Sequence, residues 1–263
     1  MPIPAAFDLS GRVAVVTGAG SPGGIGFATA RLLAELGAAV MISATTARIH
    51  DRVTDLRGAG FDAAGIAGDL TDPGVASGLV SAALNQWGRL DIVVNNAGMI
   101  STAVPVFESG TVAAMDLPTW QAALARNLTT AFLVSKAALP SMTSRGWGRI
   151  IMVASLTGPV MAIRADVGYA TAKAGLIGLT RSVARELARR SITCNVVAPG
   201  PIVTEMTAEM PDDWRAQVQT AVPLGRLGTA EECAAVVGFL CSDAAAYITG
   251  AVVPVDGGLG MGH

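Results

Sequence analysis

The sequence alternates short, wholly apolar runs with longer segments of helical periodicity, and this alternation restricts the fold more than any other feature. The run at residues 13–16 is apolar at every position, as are strands of a parallel sheet covered by helices on both faces. We predict seven strands, near residues 13–16, 40–42, 62–67, 91–94, 149–154, 192–197 and 251–255, and helices near 25–36, 47–58, 73–87, 117–144, 167–190, 206–220 and 230–241. The predicted fold is α/β, a single domain over residues 1–263 with a doubly wound, seven-stranded parallel sheet.

Composition narrows the functional class. Hydrophobic residues make up 51% of the chain and charged residues 14%, which favours an oligomer because a surface poor in charge leaves apolar faces to bury. The net charge of −2 gives no basic field for a polyanion, so nucleic acid is not an expected partner. No apolar run reaches the roughly 18 residues that span a bilayer, and the first residues do not resemble a secretion signal. We therefore expect a cytoplasmic protein that does not bind membranes.

The first predicted strand leads directly into a glycine-rich turn that opens a helix. Within residues 17–26, Gly18, Gly20 and Gly23 satisfy the pattern G-x-G-x-x-G. A turn in this place presents backbone N–H groups and the positive end of a helix to a pyrophosphate. A tight turn without a ligand is the alternative, but the position between strand and helix favours a dinucleotide-binding fold of the Rossmann type.

The end of the second predicted strand bears on the choice between NAD and NADP. An acidic residue at this place would accept hydrogen bonds from the ribose 2′-hydroxyl and would repel a 2′-phosphate. Residues 42–48 contain no acid, but they include the hydroxyl of Thr45 and the guanidinium of Arg48. This favours NADP, although NAD stays possible because Arg48 also fits a solvated position in the first turn of a helix.

Tyr169 and Lys173 are four residues apart in a predicted helix and therefore share one face. An adjacent ammonium group stabilises a phenolate and lowers the pKa of the tyrosine, which suits it to acid/base chemistry near neutral pH. Ser155, just after a predicted strand, is placed to hydrogen-bond a substrate oxygen. Taken alone, the Tyr–Lys pair is equally consistent with an ordinary exposed helix face.

Together these motifs resemble the short-chain dehydrogenase/reductase family over residues 8–258. The motifs occur in the family's order: Thr17-Gly18, Gly24-Ile25-Gly26, Asp69-Leu70, Asn95-Asn96-Ala97-Gly98, Ser155, Tyr169 with Lys173, Pro199-Gly200, and Val255-Asp256-Gly257-Gly258. Within the family, the sequence is most similar to the 3-oxoacyl-[acyl-carrier-protein] reductase-like branch. The resemblance implies a Rossmann fold and an NAD(P)-dependent oxidoreductase.

The resemblance also implies a role for each catalytic residue. Tyr169 would protonate the carbonyl oxygen as hydride arrives, or deprotonate the alcohol in the reverse direction. Lys173 would bind the nicotinamide ribose and lower the pKa of the tyrosine, and Ser155 would orient the substrate oxygen. Asn127 would position a water that links Lys173 to solvent. No metal is implied, because the Tyr–Lys pair takes the place of a Lewis acid.

The cofactor contacts are implied in the same way. Asp69 and Leu70 would meet the adenine, Asn96 would lie on the adenosine side, and Ile202 and Thr204 would contact the nicotinamide end. The complete implied set is Gly18, Ser21, Gly24, Ile25, Gly26, Thr45, Asp69, Leu70, Asn96, Tyr169, Lys173, Ile202 and Thr204.

The sequence departs from the family pattern at three places. Five residues separate Gly18 from Gly24 where the family usually has three, which leaves open which amides meet the pyrophosphate. The spacing from Ser155 to Tyr169 is one residue longer than usual, and the stretch from residue 98 to 127 is also longer. The last two changes lie at the substrate end, as does a predicted lid near residues 204–220, so they bear on specificity.

The sequence thus favours an NADP(H)-dependent enzyme that interconverts a ketone and a secondary alcohol on a small molecule, with a 3-oxoacyl thioester as the leading substrate class. The alternatives are an NAD-dependent dehydrogenase of a sterol, diol or sugar alcohol, and a non-catalytic dinucleotide-binding sensor. The sensor is disfavoured because Asn127, Ser155, Tyr169 and Lys173 are all present. In the family, the two long helices pair across a two-fold axis, which implies a homotetramer, with a dimer as the alternative.

Overall fold

The computed structural model describes residues 3–98, 109–162, 167–208 and 210–261, with the backbone alone for residues 206, 208 and 214. The described strands are β1 (Val13–Val16), β2 (Ala39–Ala44), β3 (Ala63–Ala67), β4 (Ile92–Asn95), β5 (Gly148–Val153), β6 (Ile192–Pro199) and β7 (Val252–Val255). They form one parallel sheet in the order β3-β2-β1-β4-β5-β6-β7. The predicted seven-stranded parallel sheet is confirmed.

Helices cover both faces of this sheet. They are α1 (Ile25–Glu35), α2 (Ile49–Gly58), α3 (Pro73–Trp87), α4 (Leu117–Leu124), α5 (Thr130–Arg145), α6 (Val167–Leu187), α7 (Glu205–Ala208), α8 (Asp212–Ala221) and α9 (Ala230–Cys241). One buried apolar cluster joins α1, α2 and α9 to the sheet, and a second joins α3, α5 and α6 to its other face. In β1, Ala14 and Val16 belong to the first cluster, while Val13 and Val15 belong to the second. A strand buried on both faces needs apolar residues at every position, which explains the unbroken apolar run.

Two predicted helices differ from those observed. The segment predicted as one helix over 117–144 contains a π-helical turn, Ala125–Thr129, between α4 and α5. The helix predicted over 206–220 is wrong as a single element, because it is divided into α7 and α8. Pro211 is the N-cap of α8, and a residue that precedes proline is disfavoured in the helical conformation. The irregular stretch predicted near residues 101–114 lies outside the described residues up to residue 108.

The strand order places a crevice at the carboxyl edge of the sheet. β1 and β4 are neighbours in the sheet. The chain continues from β1 to β2 on one side of this pair, and from β4 to β5 on the other side. Ligands of open α/β sheets bind at this topological switch point. The glycine-rich turn follows β1 there, and Asn96, Ala97 and Gly98 follow β4.

Candidate active site

Tyr169 and Lys173 lie one turn apart on α6, as their spacing predicts. The Lys173 Nζ atom is 5.5 Å from the centre of the Tyr169 ring, and both side chains are buried. Lys173 donates a hydrogen bond of 3.0 Å to the backbone carbonyl of Val153, the last residue of β5. Burial lowers the pKa of Lys173 to about 8. The protonation state of Lys173 therefore changes close to physiological pH.

Ser155 lies just beyond β5 at the start of a tight loop, residues 155–161, which we call the serine loop. Its hydroxyl oxygen accepts a hydrogen bond of 3.1 Å from the backbone N–H of Thr157. Gly158 has a φ of +98°, and a Cβ atom there would lie 2.1 Å from the carbonyl oxygen of Ala170 on α6. Only glycine allows this approach. The serine loop is thus packed directly against the helix turn that contains Tyr169.

Asn127 is the middle residue of the π-helical turn, and its side chain is buried. Its Nδ2 atom donates to the carbonyl of Ala123 at 3.1 Å. A Cβ atom on Gly98 would lie 2.7 Å from Asn127 Oδ1 and 3.1 Å from Lys173 Nζ. The amide oxygen and the ammonium group therefore converge at Gly98, after β4. A π turn inside an α-helix is frequent at functional sites.

The glycine turn is fixed by contacts with the residues that follow β4. Gly18 has a φ of +69°, and a Cβ there would lie 2.8 Å from the Ala97 Cα. A Cβ on Gly26 would lie 2.5 Å from both the Gly18 carbonyl oxygen and the Asn96 Nδ2 atom. That Nδ2 atom donates to the carbonyls of Thr17 and Gly18, at 3.1 and 3.0 Å. Asn96 therefore braces the turn through its side chain, a contact that the sequence did not reveal.

The extra length of this turn, expected to bulge in the region of Ser21 and Pro22, lies at its tip. Pro22 and Gly23 are exposed, and a Cβ on Gly23 would contact nothing within 4 Å. The backbone N–H of Gly24 donates to the carbonyl of Ser21 at 3.2 Å, which closes the bulge before α1. Gly24 is the N-cap of α1, and no side chain in the described part of the chain caps the helix that starts with Ile25 and Gly26. Uncapped amide groups at a helix N-terminus fit a pyrophosphate.

Arg48, the N-cap of α2, reaches back over the same turn. A Cβ on Gly20 would lie 2.7 Å from the Arg48 Nε atom and 3.2 Å from its Nη2 atom. The Nε atom is buried and has no hydrogen-bond partner among the described residues. Thr45, directly after β2, is half-buried. A buried guanidinium nitrogen beside a glycine turn is suited to an anionic group of a dinucleotide.

The remaining predicted cofactor residues lie at the carboxyl edge of the sheet, one group after β3 and the other after β6. Asp69 is exposed and accepts hydrogen bonds from the backbone and hydroxyl groups of Thr71, both at 2.9 Å, while Leu70 is buried. Ile202 is buried and forms a bridge with Gly228. The backbone N–H of Thr204 donates to the hydroxyl of Thr207 at 2.8 Å, at the start of α7. These positions follow β3 and β6 respectively.

Other kinds of site receive no support from the described part of the chain. It contains no group of three His, Cys, Asp or Glu residues placed to hold a metal ion. Each cysteine is buried, and burial raises the pKa of the thiols of Cys194, Cys233 and Cys241 to about 12. No helix in the described ranges has both the length and the apolar character needed to cross a membrane.

Comparison with known proteins gives similarity over nearly the whole chain. A family model described as Enoyl-(Acyl carrier protein) reductase matches residues 18–260. The chain is 43% identical over 255 residues to a 3-oxoacyl-[acyl-carrier-protein] reductase of Pseudomonas aeruginosa, covering 97% of this chain and 99% of that protein. It is 42% identical over 247 residues to cis-4-hydroxycyclohexanecarboxylate dehydrogenase of Sinomonas cyclohexanicum, covering 94% and 96%. A solved actinorhodin polyketide ketoreductase with NADPH has a TM-score of 0.87 at 33% identity, covering 95% and 97%.

Proposed function

Because this chain belongs to the short-chain dehydrogenase/reductase family and is an NAD(P)-dependent oxidoreductase, we propose that it reduces the ketone of a 3-oxoacyl thioester to a secondary alcohol with NADPH. The observation that supports this most strongly is the convergence of Tyr169, Lys173, Asn127 and the serine loop at the carboxyl edge of the sheet. The similar reductase of Pseudomonas aeruginosa supports the substrate class.

In the proposed mechanism, the ketone oxygen binds between Ser155 and Tyr169. The Ser155 hydroxyl hydrogen-bonds that oxygen, and the Tyr169 hydroxyl transfers its proton to it as negative charge develops. When bound, NADPH supplies the hydride that forms the new C–H bond. Lys173 stabilises the resulting phenolate, and Asn127 Oδ1, which lies on the same side of Gly98 as Lys173 Nζ, positions a water that returns a proton.

The cofactor preference that we propose is for NADPH, and it rests on Arg48. Its buried Nε atom over Gly20 has no described partner, so a 2′-phosphate would supply the missing acceptor. The expected energetic contribution is that of a hydrogen bond between charged groups, about 1.5–3 kcal/mol. The ketoreductase structure that contains NADPH supports the same preference.

Substitution of Arg48 tests this preference. In Arg48→Ala, we expect the KM for NADPH to rise about 10- to 100-fold, because the phosphate loses a charged partner, while the KM for NADH stays unchanged. Initial rates with each cofactor measure the effect. Arg31→Ala is the matched control, since Arg31 lies on the exposed side of α1, where it pairs with Glu35 at 3.0 Å. Equal efficiency of the wild-type protein with NADH and NADPH would contradict the proposal.

A second candidate reaction is the interconversion of a cyclic hydroxy acid and its ketone. It is favoured by the 42% identity to cis-4-hydroxycyclohexanecarboxylate dehydrogenase, which nearly equals the identity to the reductase. Turnover of acetoacetyl-N-acetylcysteamine and of 4-oxocyclohexanecarboxylate separates the two. We expect kcat/KM to be at least about tenfold higher for the thioester, equivalent to 1.4 kcal/mol of transition-state binding. The reverse order would favour the second candidate.

The larger organisation is proposed on the same grounds. We propose one domain over residues 1–263, a lid over residues 204–220, and a homotetramer in the cytoplasm. Exposed apolar side chains on the outer helices, Leu117 and Phe132, and the fully exposed Tyr247 near β7 are consistent with subunit contacts. Light scattering of the purified protein tests the assembly, and a monomer would contradict it.

A further inference from the structure

After β7 the chain bends back across the carboxyl edge of the sheet in a turn built around one carboxylate. We call residues 256–261 the Asp256 turn. The two carboxylate oxygens of Asp256 accept hydrogen bonds from the backbone N–H groups of Gly258 and Gly260, at 2.9 and 2.8 Å. Gly257 and Gly258 have φ values of +63° and +90°, which glycine adopts at little cost. The side chain of Asp256 therefore fixes the path of the backbone that follows it.

The far end of the Asp256 turn rests on the serine loop. A Cβ on Gly260 would lie 3.2 Å from Val160 Cγ1 and 3.4 Å from Leu156 Cδ2. Leu156 directly follows Ser155, and its carbonyl accepts the backbone N–H groups of Val160 and Met161 at 3.0 and 3.1 Å. The Asp256 turn thus packs on the side chains of Leu156 and Val160, two residues whose backbones are hydrogen-bonded to each other in the serine loop.

The near end of the Asp256 turn holds the chain where it leaves the lid. We call residues 222–224, which follow α8, the lid exit. The carbonyl of Gly257 accepts the backbone N–H of Leu224 at 3.1 Å, and a Cβ on Gly257 would lie 2.6 Å from Val222 Cγ1. Gly258 lies against Pro223. One short turn therefore contacts both the serine loop and the lid exit.

We propose that Asp256 is a positioning residue that sets the serine loop and the lid in a fixed relation across the substrate site. Its carboxylate holds the Asp256 turn in shape, and the turn transmits that shape to Leu156 on one side and to Val222 on the other. The proposal rests on the proposed function in so far as it takes Ser155 and the lid to face the substrate. Asp256 itself touches neither substrate nor cofactor in this account.

The first test measures release of the lid without any substrate. Arg215 on α8 is the only arginine or lysine within residues 204–224, so trypsin cleavage after Arg215 reports opening of the lid. We expect Asp256→Ala to be cleaved there about tenfold faster than wild type, and Asp256→Asn, which keeps one acceptor oxygen, to be intermediate. The control is Asp72→Ala, because Asp72 also accepts two backbone N–H groups, at 2.6 and 3.2 Å, but caps α3.

The second test separates positioning from stability. We expect Asp256→Ala to raise the KM for the carbonyl substrate about tenfold, with a much smaller change in the NADPH dissociation constant and with thermal unfolding shifted no more than in Asp72→Ala. Gly260→Ala should raise the same KM, since its Cβ would lie 2.9 Å from Asp256 Oδ2 and 3.2 Å from Val160 Cγ1 and would disturb both the carboxylate and the serine loop. Equal cleavage after Arg215 in Asp256→Ala, Asp256→Asn and Asp72→Ala would overturn the proposal. Because cleavage needs no substrate, this result stands even if 3-oxoacyl thioesters are not reduced.

Discussion

In the cofactor half of the site, the glycine turn after β1 is joined to the residues after β4 by the hydrogen bonds of Thr17 and Asn96. The Thr17 hydroxyl, at the end of β1, accepts the backbone N–H groups of Asn96 and Ala97 after β4, at 3.0 and 2.9 Å. Asn96 returns two hydrogen bonds to the carbonyls of Thr17 and Gly18. The substrate half is held differently. Its serine loop packs on α6 through Gly158 and on the Asp256 turn through Gly260, so its contacts come from a helix and a C-terminal turn and not from a neighbouring strand.

This difference indicates how the two halves respond to change. The cofactor half is formed by neighbouring parallel strands, so it is in place once the sheet has formed. The lid begins and ends at contacts with other segments, since Val203 donates to the Gly228 carbonyl at 2.8 Å and Leu224 donates to that of Gly257. Cofactor affinity should therefore be less sensitive than substrate affinity to changes in the substrate half, since among the predicted cofactor residues only Ile202 and Thr204 adjoin the lid, while substrate affinity should depend on the C-terminal segment.

The largest effect should come from Tyr169→Phe, which tests whether the halves can be separated. Loss of the phenol removes the proton donor for the carbonyl oxygen, so we expect kcat/KM to fall about 1,000-fold. The NADPH dissociation constant should change little, because the substitution leaves in place the hydrogen bonds between Thr17, Gly18 and the residues after β4. Fluorescence titration with NADPH and initial-rate kinetics measure both quantities. Tyr247→Phe is the control, since Tyr247 is the chain's other tyrosine and is fully exposed. A large loss of NADPH affinity in Tyr169→Phe would contradict the independence of the cofactor half from the catalytic residues.

The cofactor half could be predicted from sequence because its signals are local. An apolar run followed by glycines predicts strand, turn and helix, and the backbone conformation of Gly18 confirms the need for glycine there. The four-residue spacing of Tyr169 and Lys173 likewise predicts their common face of α6. These features depend on residues that are close in sequence, so a pattern of a few residues suffices.

The substrate half could not be predicted to the same depth. The contact of Gly260 with Leu156 joins residues about a hundred positions apart, and neither has a side-chain type that signals the other. The π turn at Asn127 has the same apolar spacing as the helices around it, so periodicity does not reveal it. Pro211 does indicate the break before α8, but the apolar spacing of residues 206–220 fits one continuous helix and leads to the wrong prediction. Lys173 is bonded to the carbonyl of Val153, and a backbone acceptor has no sequence signature.

The next largest effect distinguishes two glycines within the cofactor half. In Gly26→Ala, the new methyl group meets the Gly18 carbonyl and Asn96 Nδ2 at 2.5 Å, so the turn must shift. We expect NADPH affinity to fall up to about 100-fold, as strain of 1–3 kcal/mol in the bound turn implies. Gly23→Ala is the control, because a Cβ there meets nothing within 4 Å. Isothermal titration with NADPH measures both variants. Equal losses would mean that the turn adapts and that the cofactor half is not pre-formed.

The smallest of these effects concerns Lys173, which joins the two halves. Its pKa is lowered by burial from 10.5 to about 8, so the unfolded chain binds the proton more tightly and stability rises with pH between those values. Below pH 8 the buried, charged Lys173 destabilises the folded state by its full amount, and this destabilisation disappears as the pH approaches 10.5. In Lys173→Met this dependence is absent, so the free energy of unfolding of wild type should rise relative to the variant by about 2 kcal/mol between pH 7.5 and 10.

Urea denaturation at the two pH values measures the difference for Lys173, and the same comparison in a Tyr169→Phe background removes the contribution of the phenol that Lys173 adjoins. Lys136→Met is the control, since Lys136 is the chain's other lysine and is exposed on α5. A gap between wild type and Lys173→Met that does not change with pH would mean that the buried ammonium is compensated, by Asn127 Oδ1 or by the Val153 carbonyl. In that case the polar groups around Lys173 would be hydrogen-bonded as completely as those of the glycine turn. Only the serine loop and the lid would then differ from the pre-formed cofactor half.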